Sequence, residues 1–276
     1  MEIYIKKKEI VKLMKLKNVL VVCKDGAGPE TKKSIIAVKK ILKDSKIKFK
    51  TIMRNKIKKS DTKSKDLIIV VGGDGSLLYA SHFITDKTPI LCINSNTKLT
   101  EGFYSYANRF DFKKKLKQLL ENKNGILELN RLEAKIGKKK LDLALNDYYI
   151  GHNTPYGVAR YWLSYKGKKE YQKSSGVIVS TASGSFAWMK SAGGKQLPMT
   201  SPKFEYIVRE PYHGKLVTPT MINGILEKNE KIKIISNSDN LIVNADSVSP
   251  DYPAKKKSII EVSLSKKPIY LVTFPL

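Results

Sequence analysis

A tetrapeptide directly after an apolar run is the clearest chemical signal in the sequence. The aliphatic run Leu67–Val71 leads into Gly72, Gly73, Asp74 and Gly75. Glycines lack a Cβ, so a backbone built from them can approach a phosphate, and the first amides of a following helix point at that phosphate. A carboxylate repels phosphate, so Asp74 fits such a cradle as a proton acceptor or as a ligand of Mg²⁺. The alternative is a tight strand–helix turn in which Asp74 is only an N-cap.

A second segment, 175–194, joins an apolar strand-like run to small hydroxyl residues. The run Val177–Val179 is followed by Ser180, Thr181, Ser183, Gly184 and Ser185. Hydroxyl groups and free amides at a strand end suit hydrogen bonds to a base or a ribose. Taken alone, the segment also fits a serine-capped helix after a strand.

A third pair of polar residues, Asn146 and Asp147, follows the apolar alternation Leu143–Leu145. An asparagine amide can read the edge of an adenine, and a carboxylate can accept hydrogen bonds from ribose hydroxyls. The alternative is that the two residues only end a strand.

The elements that must position these residues change character along the chain. Residues 17–122 alternate apolar strands with helical patterns, which predicts an α/β domain with a mostly parallel sheet. From about residue 126, strand patterns separated by turn residues predict an antiparallel all-β domain. We therefore expect domains at 1–124 and 125–265, with the junction near residues 122–126.

Composition limits the class of protein and the partners. The 276 residues are 41% hydrophobic, and no aliphatic run approaches the ~20 residues of a membrane-spanning helix. The N-terminal residues lack the apolar region of a signal peptide, so we expect a protein of the cytoplasm that does not use a membrane. The net charge is +27, but only five of the 52 basic residues are arginine. Because base-reading proteins favour arginine, we expect a lysine-rich solvated surface rather than a nucleic-acid partner.

Together these segments resemble the NAD kinase family. The order and spacing match: the GGDG turn at 72–75, the segment Asn94–Tyr104, the pair Asn146–Asp147 and the serine-rich segment 175–185. The details TEGFY at 100–104 and Ala187–Trp188 look closest to the divergent branch that includes mitochondrial-type enzymes. The GGDG turn alone is shared with lipid kinases, whereas its combination with segment 175–194 is specific.

The resemblance implies transfer of the γ-phosphoryl group of ATP to the 2′-hydroxyl of the adenosine ribose of NAD or NADH, with Mg²⁺ bound to ATP. Asp74 would then act at that hydroxyl, and Phe103 would pack on the adenine. Asn146 would bind the adenine edge with Ser183 beside it. Asp147 would take ribose hydroxyls of the nicotinamide half.

The other binding residues are assigned only through the resemblance. Ala187 and Trp188 would line the nicotinamide side, and Lys173 stands where some members carry an arginine near the ligand phosphates. The remaining expected ligand-binding residues are Gly72, Gly73, Gly75, Ser76, Asn94, Ser175, Thr181, Gly184, Ser185 and the late aspartate Asp246. No residue is expected to bind a metal directly, except that Asp74 could.

The resemblance also implies an NAD kinase-like two-domain fold and a homo-oligomer, either a dimer or a tetramer. The last strand, within 266–276, would pack back on the first domain. Many members have an aspartate at the position of Ser175 and a glutamate at the position of Asp147. These differences bear on the choice between NAD and NADH, not on the reaction.

Two other functions remain open from the residues alone. A lipid kinase acting on a diacylglycerol or a sphingoid base would share the GGDG cradle, but it does not explain segment 175–185. A non-enzymatic protein that binds nucleic acid or another polyanion would use the +27 charge. That second function leaves Asp74 and Asp147 unexplained, because both would repel the ligand.

Overall fold

The computed structural model describes residues 16–215 and 218–275. The expectation that the N-terminus carries no signal peptide falls on residues 1–15 and so lies outside the described residues. No helix in the described part of the chain combines the length and the hydropathy that crossing a bilayer requires.

The chain divides into two units, which comprise Met1–Glu128 with Ile269–Leu276 and Leu129–Pro268. We call them unit 1 and unit 2. Unit 1 is an α/β unit and unit 2 is built almost entirely from antiparallel strands, as the sequence predicted.

Unit 1 contains one seven-stranded sheet, here called sheet A, with the order β2-β1-β3-β4-β19-β6 and with β5 paired to β4. Its strands and helices are β1 (Val19–Cys23), α1 (Pro29–Asp44), β2 (Phe49–Met53), α2 (Lys59–Thr62), β3 (Leu67–Gly72), α3 (Asp74–Ser81), β4 (Pro89–Asn94), β5 (Ser105–Asn108), α4 (Phe112–Leu120), β6 (Gly125–Leu129) and β19 (Ile269–Thr273).

The central strands of sheet A are apolar along their whole length because both of their faces are covered. Every residue of β1 and of β3 is buried, and β1 pairs with β3 in parallel. β3 in turn pairs in parallel with β4. The carboxyl ends of β1, β3 and β4 therefore lie at the same edge of the sheet, which is where open α/β sheets bind ligands.

Unit 2 contains two six-stranded sheets, with the order β11-β10-β15-β18-β7-β8 in sheet B and β14-β13-β12-β9-β16-β17 in sheet C. Its strands and helix are β7 (Leu132–Ile136), β8 (Lys139–Lys140), β9 (Asp147–His152), β10 (Ala159–Tyr165), β11 (Lys168–Ser174), β12 (Gly176–Thr181), α5 (Trp188–Ser191), β13 (Phe204–Arg209), β14 (Asn223–Leu226), β15 (Lys231–Ser236), β16 (Leu241–Ala245), β17 (Tyr252–Ala254) and β18 (Ile259–Leu264).

One apolar core holds the inner faces of sheets B and C. Tyr161 and Leu163 of β10 and Tyr148 and Ile150 of β9 are fully buried members of this core. Successive residues of a strand point to opposite faces, so the residues between these positions lie on the outer faces. Arg160 and Trp162 thus lie on the outer face of sheet B, and Asp147 and Tyr149 on the outer face of sheet C.

The strand pattern after residue 126 forms two strands in different sheets, β6 in sheet A and β7 in sheet B. β6 joins sheet A because it lies beside β19, and unit 1 extends to Glu128. The domain bounds 1–124 and 125–265 stay a prediction. The alternative in which Asn146 and Asp147 only end a strand does not hold, since β9 begins at Asp147.

Candidate active site

The GGDG turn joins β3 directly to α3. Gly72 ends the strand, Gly73 is the N-cap, and Asp74 is the first residue of the helix, so the alternative in which Asp74 is the N-cap does not hold. A Cβ on Gly72 would lie 2.3 Å from Oγ of Ser76, so only glycine allows the helix to begin so close to the strand. Gly75 is exposed, and a Cβ there would have no neighbour within 4 Å. This turn therefore presents bare backbone at the carboxyl edge of sheet A.

The carboxylate of Asp74 is held by the backbone of the turn before β5. Oδ2 accepts a hydrogen bond from the amide of Phe103 at 3.0 Å, and Oδ1 accepts one from the amide of Tyr104 at 2.9 Å. Phe103 keeps 37% of its surface exposed, and its ring meets that of Tyr104 edge-on at 4.9 Å. Asp74 and the aromatic residue expected to pack on adenine are thus brought together, although they lie far apart in the sequence.

Asn94, expected to bind ligand, has an internal role in the structure. Its Nδ2 donates to the carbonyl of Thr100 at 3.0 Å. Its Oδ1 accepts from Oγ1 of Thr100 at 2.7 Å and from the amide of Asn96 at 3.0 Å. Asn94 therefore closes the loop after β4, which leads to Phe103. Ser76 is likewise buried against Gly72.

Lys24 is a candidate residue that the sequence analysis missed. It follows β1, and its amide donates to the carbonyl of Val71 at 3.1 Å. Its Cβ would lie 3.7 Å from a Cβ placed on Gly72. The signal that could have found it is an exposed lysine immediately after an apolar parallel strand, because parallel neighbours end at the same edge.

In unit 2, a second group of residues gathers where β9 begins and where β12 and β16 end. The carboxylate of Asp246 accepts hydrogen bonds from three successive amides, those of Leu145 at 2.8 Å, Asn146 at 2.7 Å and Asp147 at 3.1 Å. Asp246 adopts a φ of 55°, and its own amide donates to the carbonyl of Asp147 at 2.8 Å. Asp246, expected as a binding residue, therefore shapes the backbone that presents Asn146 and Asp147.

A buried arginine accompanies this carboxylate. Arg131 is fully buried, and its Nε donates to the carbonyl of Lys267 at 2.7 Å. Burial lowers the pKa of Arg131 to about 10, and the negative charge of Asp246 acts in the opposite direction. The arginine remains charged at neutral pH, so each of the two buried charges offsets part of the desolvation cost of the other.

The hydroxyl residues of the segment after β12 are engaged with the same backbone. Oγ1 of Thr181 donates to the carbonyl of Leu145 at 2.7 Å, and Oγ of Ser183 lies 3.0 Å from Oγ1 of Thr181. A Cβ on Gly184 would lie 2.2 Å from the carbonyl oxygen of Asn146, so this contact requires glycine. Ser185 is buried and donates to the carbonyl of Ala182 at 2.7 Å. These side chains hold the loop together, which sequence patterns could not distinguish from ligand contacts.

Asp147 is buried without a hydrogen-bond donor to its carboxyl group among the described residues. Only 4% of its surface is exposed. Burial, reinforced by the negative charge of Asp246, raises the pKa of Asp147 to about 8. This shift favours the neutral carboxylic acid over the carboxylate at neutral pH, and the neutral acid can both donate and accept a hydrogen bond.

An aromatic stack lies on the same sheet as Asp147. The ring of Trp188 stacks on that of Tyr149 at 5.4 Å, and the guanidinium of Arg209 lies 5.2 Å from the centre of the Trp188 ring. The hydroxyl of Tyr149 donates to the carbonyl of Ser175 at 2.7 Å. Ala187 precedes Trp188 as its helix N-cap.

Lys173 does not lie on sheet C with Asp147 and Tyr149. It lies on β11 in sheet B, with its ammonium 5.9 Å from the ring of Tyr212. Its proposed proximity to ligand phosphates stays a prediction.

Comparison with known proteins identifies the family. The model described as the ATP-NAD kinase N-terminal domain matches residues 2–124, and the model described as the ATP-NAD kinase C-terminal domain matches residues 138–274. A probable NADH kinase of Oryza sativa subsp. japonica is 28% identical over 266 residues, which are 88% of this chain and 81% of that protein. An NAD kinase of Clostridium tetani (strain Massachusetts / E88) is 32% identical over 230 residues, which are 81% of this chain and 80% of that protein.

Solved structures share the fold. An NAD kinase from Archaeoglobus fulgidus in complex with ATP superposes with a TM-score of 0.74 at 22% sequence identity. The superposition covers 94% of this chain and 93% of the Archaeoglobus fulgidus chain. Yeast NADH kinase complexed with NADH superposes with a TM-score of 0.78 at 19% sequence identity. The superposition covers 94% of this chain and 84% of the yeast chain. The chain therefore belongs to the ATP-NAD kinase family, and its activity is the ATP-dependent phosphorylation of NAD(H).

Proposed function

We propose that the phosphoryl group is transferred to the 2′-hydroxyl of the adenosine ribose, and that Asp74 orients this hydroxyl and takes its proton. The new bond joins the ribose oxygen to the γ-phosphorus of ATP, while the bond from that phosphorus to the β-phosphate oxygen breaks and releases ADP. The observation that carries the proposal is the position of Asp74. Its carboxylate stands at the end of a buried strand, beside bare glycine backbone and hydrogen-bonded to the amide of the exposed Phe103.

The surroundings of Asp74 suit a base that acts beside phosphates. Two amides fix its oxygens without removing their capacity to accept a further hydrogen bond, because each carboxylate oxygen has two lone pairs. Gly75 leaves open space for phosphate oxygens at the first turn of α3, and the exposed lysine Lys24 follows β1 beside Gly72. Positioning and charge neutralisation are the main requirements of phosphoryl transfer.

The residues fit a magnesium ion that arrives with the nucleotide. The described residues contain no cluster of three acidic, histidine or cysteine side chains able to hold a metal. Mg²⁺ is commonly held by one or two carboxylates together with substrate phosphates and water. Asp74 is the carboxylate that would take part, and the bound ion would neutralise the charge that develops on the phosphates.

In unit 2, we assign binding of the adenine edge and of the ribose of the nicotinamide half to the loop shaped by Asp246. Asn146 would bind the adenine edge. The neutral carboxyl group of Asp147 would pair with ribose hydroxyls, since both kinds of group donate and accept. A protonated Asp147 also avoids repelling the phosphates of the dinucleotide, which a carboxylate would do.

We further propose that NADH is the better acceptor. The oxidised nicotinamide ring carries a positive charge and the reduced ring does not. Where many family members carry an aspartate this chain has Ser175, and the guanidinium of Arg209 lies over the face of Trp188. The carboxylate of Glu210 lies 3.1 Å from Arg209 on the exposed side. Because the carboxylate of Glu210 is exposed to solvent, the positive charge of Arg209 beside Trp188 disfavours binding of the cationic, oxidised nicotinamide ring. Relatives named NADH kinase agree with this proposal.

A panel of acceptors and donors tests the function. The protein is incubated with Mg²⁺, with NAD or NADH, and with ATP or polyphosphate, and the product is detected by an NADP-specific dehydrogenase. The proposal expects NADPH from NADH and ATP, with a higher kcat/KM than for NAD. Absence of product from both acceptors would refute the function. Ser175→Asp should shift the ratio of kcat/KM values toward NAD. Thr154→Asp, on an outer loop, is the control for the added charge.

A further inference from the structure

The outer face of sheet B carries a row of apolar side chains across four neighbouring strands. The strand register sets Trp162 of β10 opposite Tyr171 of β11 and opposite Ile235 of β15. Ile235 is in turn opposite Ile259 of β18. Trp162 and Ile235 point away from the core, because the residues on either side of each are buried. Tyr171 and Ile259 lie on the same face, because directly opposite residues of antiparallel strands share a face. We call these four residues the aromatic row.

The aromatic row is accessible. Trp162 is 38% exposed and Ile259 is 40% exposed, and the rings of Trp162 and Tyr171 lie 5.3 Å apart. Large apolar side chains that form one continuous group on a sheet face mark an interaction surface more often than scattered ones do. Adjacent strands lie about 4.8 Å apart, so four strands give the row a length of roughly 14 Å.

Basic residues without carboxylate partners stand on both sides of this row. On one side, Arg160 and Lys173 lie directly opposite each other. On the other side are Lys169, whose ammonium lies 4.8 Å from the Trp162 ring, and Lys233. Among the described residues, none of these four has a carboxylate within ion-pair distance. Like charges facing each other across a sheet destabilise it, and bound anions would relieve this cost.

Two acidic residues, Glu133 and Glu261, lie on this face and do not reverse its positive charge. Glu133 of β7 is opposite Ser263, at the other end of β18 from Ile259. Glu261 lies opposite Lys233, but its carboxylate is 2.6 Å from Lys135 and 3.5 Å from Lys231. A second copy of the chain would bring the same uncompensated positive charges to the interface, on a protein whose net charge is +27. An anionic partner fits both the sign of the face and its unpaired lysines.

We propose that the outer face of sheet B binds single-stranded nucleic acid, with bases stacked on Trp162 and Tyr171 and phosphates bound by the flanking basic side chains. Unpaired bases expose flat apolar faces that stack on aromatic rings, and sheet faces carrying two or three such rings bind single strands in this way. A duplex buries its base faces, so the aromatic row offers it nothing beyond charge. This binding is a function separate from the kinase activity.

Fluorescence anisotropy of a labelled oligothymidylate of about 12 nucleotides tests the proposal in the presence of saturating NADH. The NADH keeps the dinucleotide site occupied. Trp162→Ala should weaken binding by roughly tenfold, because the loss of one stacked base costs on the order of 1–3 kcal/mol. Tyr156→Ala removes an aromatic side chain that is 88% exposed outside the row, and it should leave the affinity unchanged.

Charge variants separate this face from the general charge of the chain. The double variant Lys169→Gln/Lys233→Gln should weaken binding and reduce the dependence of the affinity on salt concentration. The matched double variant Lys40→Gln/Lys43→Gln on α1 removes the same charge elsewhere and should have a much smaller effect. Kinase activity should stay at the wild-type level in all four variants, which also shows that they fold.

Three outcomes would overturn the proposal. The first is equal affinity for duplex and single strand, with both double variants losing the same amount. The second is a concentration-dependent dimer of the wild type that Trp162→Ala dissociates, which would assign the row to a second copy of the chain. The third is binding to phosphatidylcholine–phosphatidylserine vesicles that requires Trp162 while the oligonucleotide does not bind, which would assign the face to a membrane surface.

Discussion

The backbone amide of Phe103 donates a hydrogen bond to Oδ2 of Asp74 at 3.0 Å. The residue proposed to accept the proton therefore also fixes the residue proposed to pack on the adenine. The adenine and the 2′-hydroxyl belong to the same adenosine. A single carboxylate can thus set the distance between the base-packing ring and the reacting oxygen, so catalysis and binding should be coupled at Asp74.

Substitution Asp74→Asn tests this coupling. The amide side chain keeps the size of the carboxylate but accepts hydrogen bonds at only one of its two ends, so it cannot serve the amides of both Phe103 and Tyr104. We expect kcat to fall by roughly 10²–10⁴-fold through loss of the base. We also expect the KM for NADH to rise, because the turn that carries Phe103 loses a hydrogen bond. Steady-state kinetics gives both values, and near-wild-type turnover would show that Asp74 has only a structural role in the turn.

Phe103→Ala should separate binding from chemistry. Stacking of one base on an aromatic ring contributes on the order of 1–3 kcal/mol, so the KM for NADH should rise roughly 5- to 150-fold while kcat changes little. The control is Phe110→Ala, which removes a ring that is 77% exposed in the same unit. Equal effects of the two substitutions would exclude a specific role of Phe103.

The protonated state of Asp147 should be visible in the stability of the protein. The folded protein keeps this proton up to about pH 8, whereas an unfolded aspartate releases it near pH 4. Between these values the folded state binds more protons than the unfolded state, so the free energy of unfolding should decrease as the pH rises. The decrease from this one group is at most about 1.4 kcal/mol per pH unit.

Asp147→Asn removes this titration, so the variant should lose stability less steeply than the wild type between pH 5 and pH 8. Urea unfolding at several pH values measures the slopes. Glu205, whose pKa is also raised by burial, contributes in the same direction in both proteins and does not affect their difference. Identical slopes would show that the carboxyl group of Asp147 is ionised in the folded protein.

Asp246→Asn should destabilise the protein rather than remove a ligand contact. The carboxylate accepts hydrogen bonds from three amides and faces the buried charge of Arg131. Removal of one member of a buried charge pair costs roughly 3–5 kcal/mol, because the other charge stays buried. Chemical denaturation measures this loss. Asp44→Asn, at the exposed end of α1, should change the stability by less than about 0.5 kcal/mol. A stable Asp246→Asn variant with a raised KM would instead favour direct contact with the ligand.

The sequence was sufficient for the class of each unit and for the main chemical signals. Strands β1 and β3 are fully apolar because they are covered on both faces, and this pattern is visible without any structure. Gly72, which the tight turn from β3 to α3 requires, is also visible in the sequence. Family membership followed from the order of the motifs, and the family models confirm it.

Long-range pairing set the limits of this prediction. β6 joins sheet A because it lies beside β19, which is far away in the sequence, so its local pattern could not show which unit it belongs to. The support of Asn146 and Asp147 by Asp246 likewise spans about a hundred residues. Small hydroxyl residues such as Thr181 and Ser185 have the same appearance in a sequence whether they bind ligand or close a loop.

The surface of sheet B was beyond sequence analysis for a related reason. Lysines spread along the chain indicated a generally solvated surface, but the strand register brings Lys169, Lys233 and Arg160 to one face around Trp162. No local pattern reports such a register. The oligomeric state, which the family resemblance predicts to be a dimer or a tetramer, stays a prediction.

The position of Asp74 relative to bound dinucleotide tests the central claim most directly. A crystal structure of the protein with NADH and a non-hydrolysable ATP analogue would give the distance from the Asp74 carboxylate to the adenosine ribose oxygens. We predict that one carboxylate oxygen lies within hydrogen-bond distance of the 2′-oxygen, with the γ-phosphate on the opposite side of that oxygen. A 2′-oxygen held by another residue, with Asp74 turned away from the ribose, would contradict the account.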